Sequence, residues 1–290
     1  MFHGFIQYMQ FEKRCSEHTI TAYQTDLNQF QSYFEFKLIS DLRELTSLGI
    51  RSWVVHLIDS GLTNRSVNRK IASLRSLFRW LRKEGVVSLN PMAKIQGPKN
   101  EKRLPVFVKE SDLDSNKLAE LYANDFDGIR DELMVELFYQ TGMRLNELIN
   151  LKETDVNEQN IKVLGKRNKE RLIPISTDLF NQIQEFIIQK FQVVGETNFL
   201  LVLINGNKLY PTFVYRKINS YLSRVTNLDK KSPHVLRHTF ATHMLNRGSG
   251  LETLKDLLGH ANLAATQVYT HNSFAQLTAI YSQAHPRGHK

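Results

Sequence analysis

The chain has 290 residues, with 38 Lys and Arg against 29 Asp and Glu, a formal charge of +9 that favours a polyanionic partner. Its 41% hydrophobic and 23% charged residues describe an ordinary globular protein of one large or two modest domains. The single cysteine, Cys15, excludes an internal disulfide. No apolar run reaches bilayer-spanning length or forms a signal-peptide core, so no membrane insertion is expected and a cytoplasmic location is.

Residues 1–95 read as helical throughout. Phe5, Ile6, Met9 and Phe11 suggest a first helix. Ile20, Tyr23, Leu27, Phe30 and Phe34 recur at helical spacing through a second, Thr19 to Phe36. A third, Arg51 to Ser60, ends at Gly61. The fourth, Asn64 to Lys83, carries seven basic residues (Arg65, Arg69, Lys70, Arg75, Arg79, Arg82, Lys83) and no acid. On a helix Val67, Ile71, Leu74, Phe78 and Leu81 share one face, and most of the basic residues lie on a neighbouring one. Such a helix is either a solvated surface or a track along phosphates with its apolar face buried. Gln96 to Pro105 holds two prolines and no apolar periodicity. It reads as a linker, 96–105, between a domain 1–95 and a domain 106–290.

In the second domain, helices are expected at Glu110–Asn124 and Ile129–Gln140. Thr141-Gly142 breaks the pattern, and Met143 to Leu148 begins another helix. Arg144 therefore sits near a helix start, where free amides favour an anion. Glu147, three residues on, either forms a surface ion pair with it or holds it in one rotamer. Ile161–Lys166 and Arg171–Ile175 flank the polar turn 167–169 and read as a β-hairpin with a basic tip. Residues 178–230 are scaffold, with a helix Leu179–Phe191, an apolar run Phe199–Ile204 and a helix Phe213–Val225.

Pro233 to His271 carries the chemistry. Ser232 caps a helix that Pro233 opens, and His234, Arg237 and His238 share one of its faces. Leu236, Phe240, Met244 and Leu245 form the opposing stripe. Gly248 and Gly250 close this helix. Leu251–Leu258 forms the next, stopped by Gly259 just before His260. An arginine fork donates to two non-bridging phosphodiester oxygens at once, and histidine handles a proton near neutral pH. Tyrosine can attack phosphorus and leave as a moderately acidic phenol. The set suits phosphoryl transfer without metal. His234 and His238, four residues apart, lack the glutamate of a HExxH site and a third ligand cluster, so no metal or other cofactor is expected.

His234-x-x-Arg237-His238, Leu257-Leu258-Gly259-His260 and Tyr269-Thr270-His271 together resemble the signature of the tyrosine recombinases, the phage integrase-like family. "TGMRLNEL" (141–148) and "LGKRNKERLIPIS" (164–176) match further motifs, and the wording is nearest to the Xer branch, which resolves chromosome dimers. The resemblance runs to the terminal "AHPRG" and so covers essentially the whole chain. It implies a mainly α fold with a small β-sheet or hairpin in the C-terminal domain. In that architecture a helical, SAM-like core-binding domain and a catalytic domain form a C-shaped clamp on DNA.

The same resemblance implies the site. Arg144 and Arg237, with His234 and His260, hold the scissile phosphate. Tyr269 is the nucleophile that forms a 3′-phosphotyrosyl bond, and Lys166 protonates the leaving 5′-oxygen. Arg167 stands where glycine often follows that lysine. Glu147 and His238 are supports, His243 is structural, and His271 has no role given to it. Arg65, Arg69, Arg75, Arg79 and Arg82 are the expected DNA contacts, and Lys169 and Arg171 of the hairpin are expected as DNA contacts or plain surface charge. Partners implied are double-stranded DNA, a homo- or hetero-tetramer on two recombination sites, and an FtsK-type DNA translocase. The C-terminal helix, 273–285, is expected to pass to a neighbouring protomer. A mobile-element integrase or invertase shares every one of these residues, and a type IB topoisomerase shares the chemistry. A DNA-binding module that no longer cleaves is the alternative outside catalysis.

Overall fold

The computed structural model describes residues 1–100, 106–165, 169–259 and 271–288, without the side chains of 116 and 271–273. Lys166, His260 and Tyr269 lie outside the described residues. The chain divides into two compact units, Met1–Arg103 and Leu104–Lys290. Among the described residues no helix is long and apolar enough to cross a membrane.

In the first unit, α1 (His3–Gln7) runs into a π-helical turn at Tyr8–Glu12. α2 (Glu17–Phe34) begins at Ser16, whose hydroxyl accepts from the Thr19 N–H, and stops where Glu35 turns left-handed at φ 57°. That cap and that turn place it two residues earlier at each end than apolar spacing suggests. α3 (Ser47–Asp59) starts ahead of the expected Arg51 because the Thr46 side chain caps it through the Gly49 N–H. α4 (Asn64–Lys83) is capped in the same way by Thr63. Phe5, Leu27, Phe30, Trp53, Ile71, Leu74 and Phe78 meet in one core, each such side chain contributing about 1.5–3 kcal/mol on burial. Asp26 is buried between α2 and α4, where Lys70 Nζ and Ser73 Oγ each donate to it at 2.9 Å and Arg69 pairs with it as well. Lys70 thus neutralises a core carboxylate instead of joining the basic surface.

In the second unit, α6 (Phe126–Thr141) is the axis, packed by α8 (Thr177–Val194) and α10 (Pro233–Asn246). It is buried all round from Leu133 to Thr141, its polar side chains Glu136 and Gln140 included. The helix expected at Glu110–Asn124 is broken. A 3-10 turn, Glu110–Asp112, is followed by the short α5 (Ser115–Ala119). The Asp114 side chain accepts from the Lys117 N–H, and Arg287 takes the Leu113 carbonyl, so a local cap and a distant arginine replace helix bonds. α7 (Leu145–Ile149) follows α6, and β1 (Asn160–Leu164) pairs antiparallel with β2 (Glu170–Pro174), Ile161 opposite Ile173 and Val163 opposite Arg171. α9 (Pro211–Val225) packs near α7 and α10.

Ser232 occupies the cap position of α10 through its backbone alone, its carbonyl accepting from the Val235 and Leu236 N–H groups. The apolar stripe of α10 ends at Met244, since Leu245 is exposed. α11 (Leu251–Leu258) follows, and α12 (His271–Ala284) packs on α10 and α11 of the same chain. Leu277 and Tyr281 join Phe240, Met244 and Leu257 in a small core. His285 stacks on Tyr281 with ring centroids 5.2 Å apart. Burial lowers its pKa to about 3, so the ring is neutral; Nε2–H donates to the Tyr139 carbonyl and Nδ1 accepts from the Arg287 N–H. The terminal "AHPRG" is therefore an anchor within its own unit.

Candidate active site

Sequence-distant pieces meet at the end of α11. The last carbonyls of a helix have no intrahelical partner and carry partial negative charge. Here three successive carbonyls, those of Leu257, Leu258 and the cap residue Gly259, are each taken by a different arginine. Arg171 Nε donates to Leu257 O at 2.7 Å, Arg237 Nη2 to Leu258 O at 2.7 Å, and Arg144 Nη2 to Gly259 O at 3.0 Å. These side chains come from β2, from α10 and from the residue that caps α7. Gly259 ends α11 in the left-handed conformation at φ +62°, and a Cβ added there would also lie 3.1 Å from Arg171 Cδ. In the chain the next residue is His260.

One carboxylate balances these guanidiniums. Glu147 Oε1 accepts from Arg144 Nη1 and Arg171 Nη1, both at 2.8 Å. Its Oε2 accepts from the Arg144 backbone N–H at 2.7 Å and from Arg171 Nη2 at 2.8 Å. Burial by itself would raise the Glu147 pKa. The hydrogen bond and charge of Arg171, followed by the two bonds from Arg144, outweigh burial and hold the carboxyl at about 2. Glu147 is thus a buried counter-ion and not a surface partner.

Arg237 is nearly enclosed. Its second donor, Nη1, reaches the Gly142 carbonyl at 2.6 Å. Gly142 ends α6 at φ +59°, and a Cβ there would stand 2.5 Å from Phe240 Cδ1. Burial first, then the charges of Arg144 and Arg171, lower the Arg237 pKa to about 10. Three positive charges therefore face one negative charge in a partly dry site. Such a cluster favours an added anion, and most of all one that gains charge as it reacts, as a phosphodiester does.

The other expected residues divide as follows. His234 is exposed, three residues before Arg237 on α10. His238 is half-buried, and its Nε2 has no hydrogen-bond partner among the described residues. His243 is buried with Nδ1 3.0 Å from the Tyr139 hydroxyl, and burial lowers its pKa. Lys169 is exposed, its carbonyl accepting from the Gly165 N–H across the hairpin. Arg171 is a correction: it is 5% exposed, and its fork is bound to Glu147 and Leu257, so it is not free to meet DNA. The signal was available in its parity, since Arg171 alternates in step with the inward-facing Ile173 and Ile175.

On α4 the expected DNA contacts are all exposed but not equally free. Arg69 is held by Asp26, and Arg75 Nη2 donates to the Ile95 carbonyl at 2.5 Å. The side chains of Arg65, Arg79 and Arg82 make no hydrogen bond or ion pair among the described residues. Arg65 and Arg79 lie away from the buried Val67, Leu74, Phe78 and Leu81, and Arg82, four residues past Phe78, lies at the border of that stripe.

Comparison with known proteins gives consistent matches over both units. Residues 111–276 match the model of the phage integrase family, and residues 2–85 match that of the phage integrase N-terminal SAM-like domain. The chain is 37% identical over 291 residues to the tyrosine recombinase XerC of Staphylococcus haemolyticus, covering 99% of this chain and 97% of that protein. It is 33% identical to the XerC of Chlorobaculum parvum, covering 97% and 93%. Among solved structures, the XerH recombinase bound to palindromic difH substrate in a post-cleavage complex aligns with a TM-score of 0.72 at 20% identity, over 95% of this chain and 79% of that one. The Tn1549 transposon integrase in complex with transposon right-end DNA aligns with a TM-score of 0.72 at 17% identity, over 93% and 96%. These two likenesses concern the fold, which is mainly helical with a small antiparallel sheet.

Proposed function

The chain belongs to the phage integrase family of tyrosine recombinases, and from that premise we propose how its residues divide the work. The protein is a site-specific DNA recombinase of the Xer type, which cuts and rejoins double-stranded DNA. Arg144 and Arg237 clamp the scissile phosphate, aided by His234 and His260. Tyr269 Oη bonds to phosphorus as the bond from phosphorus to the 5′-oxygen breaks. Lys166 gives a proton to that oxygen, and the phenolic proton passes to His234 or His260. The 3′-phosphotyrosyl bond keeps the energy of the original ester, so a 5′-hydroxyl from a second duplex reverses the step and joins new strands.

The observation that carries this reading is the convergence of three arginines at the end of α11, two of them held by one carboxylate. It supplies excess positive charge immediately before the segment that bears His260 and Tyr269. The biological setting proposed is resolution of chromosome dimers by a tetramer on two sites, activated by an FtsK-type translocase. Passing helix 273–285 between protomers fits that assembly. In the single chain the same helix covers its own α10 and α11, so exchange replaces this packing with its equivalent from a neighbour.

The test is to mix the protein with its own genomic DNA, stop with detergent, and sequence DNA left covalently attached, with Tyr269→Phe as control. Adducts at one locus near the replication terminus, lost in the control, are the expected result. Adducts at repeats or element ends would move the role to mobile DNA, and scattered adducts would indicate a topoisomerase. Absence of adducts even on a nicked trapping substrate would sink the catalytic reading.

A further inference from the structure

We infer that Arg171 is the positioning residue of the phosphate clamp: it sets Glu147, and through Glu147 the guanidinium of Arg144, against the end of α11. The inference rests on the recombinase reading above and deepens it.

Arg171 touches three elements at once. Its own strand, β2, pairs with β1, and Lys166 falls between the two strands in the sequence. Its Nη1 and Nη2 form a two-point pair with the Glu147 carboxylate, and its Nε holds Leu257 O on α11. A two-point pair fixes the plane of the carboxylate as well as its place. With that plane fixed, Oε1 faces Arg144 Nη1 and Oε2 faces the Arg144 N–H. The direction of the Arg144 side chain therefore depends on Arg171, although the two arginines are 27 positions apart in the chain.

Stability does not explain this arrangement. A buried ion pair is commonly replaced by apolar residues at no net loss, because desolvation offsets its attraction. An apolar pair could not, however, aim Arg144. Nor could a lysine, whose ammonium is a point charge without a planar fork. Arg171 also adds a positive charge that lowers the pKa of Arg237, beside the bonds by which it holds Glu147 ionised. A residue with that balance is explained by what it orients.

The test uses the full chain on a nicked trapping duplex whose scissile group is either the natural phosphate or a methylphosphonate. Replacing a non-bridging oxygen by methyl removes the charge that the clamp neutralises. The variants are Arg171→Lys, Arg144→Ala as the clamp reference, and Lys166→Ala as a reference outside it. Wild type must form the Tyr269 adduct on phosphate; if it does not, the recombinase reading fails, and this inference with it. With wild type active, Arg171→Lys should bind DNA normally but form adduct about 100-fold more slowly on phosphate. On methylphosphonate its deficit relative to wild type should shrink by about 10-fold or more, as for Arg144→Ala and unlike Lys166→Ala.

A near wild-type rate on phosphate would overturn the inference. So would an equal deficit on both substrates, which marks general damage and not a lost aim. If Arg171→Lys lacks the calorimetric transition of the second unit, the double variant Glu147→Leu/Arg171→Met takes its place, since it leaves neither partner of the pair buried alone. The same two rates then decide the matter.

Discussion

Replacing Glu147 by Gln tests the electrostatics of the site. Each carboxylate oxygen receives two donors, one from each of Arg144 and Arg171. An amide keeps one oxygen and turns the other into a donor, so two of the four hydrogen bonds become donor facing donor. The arginines also lose their buried counter-ion. Breaking a buried pair from one side costs about 3–5 kcal/mol. The fall of the Glu147 pKa from 4.5 to about 2 gives the same scale, about 3 kcal/mol. In a unit of this size 1 kcal/mol moves the melting midpoint by about 2–4 °C, so a drop on the order of 10 °C is expected.

Calorimetry reads the loss. Both tryptophans, Trp53 and Trp80, lie in the first unit, so a fluorescence melt serves as an internal control that should not move. The pH dependence follows from the sign of the shift. A carboxylate whose folded pKa lies below its unfolded value contributes stability above the unfolded value and loses it as pH falls through the folded one. The gap between wild type and Glu147→Gln should therefore be full above pH 4.5 and close toward pH about 2. A variant that melts with wild type at neutral pH, or a gap that persists at the acid end, would refute the buried counter-ion.

Three further outcomes are expected. Gly142→Ala forces a Cβ to 2.5 Å from Phe240 Cδ1 at a positive φ, and denaturant titration should show a loss of about 2–4 kcal/mol. Arg79→Ala with Arg82→Ala should weaken DNA binding for all sequences alike, and should flatten the salt dependence of log Kd by about one unit for each phosphate left unneutralised. Lys70→Ala leaves Asp26 buried without its enclosed cation, and the fluorescence melt of the first unit should report a loss of about 3 kcal/mol.

What the sequence determined by itself was local. Apolar spacing places α4, α8 and α9 to within a few residues, because those helices bury one stripe and leave another wet. α10, buried over most of its surface, is placed instead by Pro233 at its start and the glycines after it. Motif spacing points to Arg144, Arg237 and Glu147 without showing that they meet. Helix starts are less legible, since a single hydroxyl such as Ser16 or Thr46 moves them by two to four residues. The break at Asp114 is not legible either, because it depends on Arg287, which is far along the chain. Only the tertiary structure decided that Arg171 lies inside and that Lys70 serves a core aspartate. A basic side chain carries the same charge on a surface and beneath one. Its role follows from which carboxylates and carbonyls the fold brings within hydrogen-bond reach, and for Arg171 these come from residues 24 and 86 positions away.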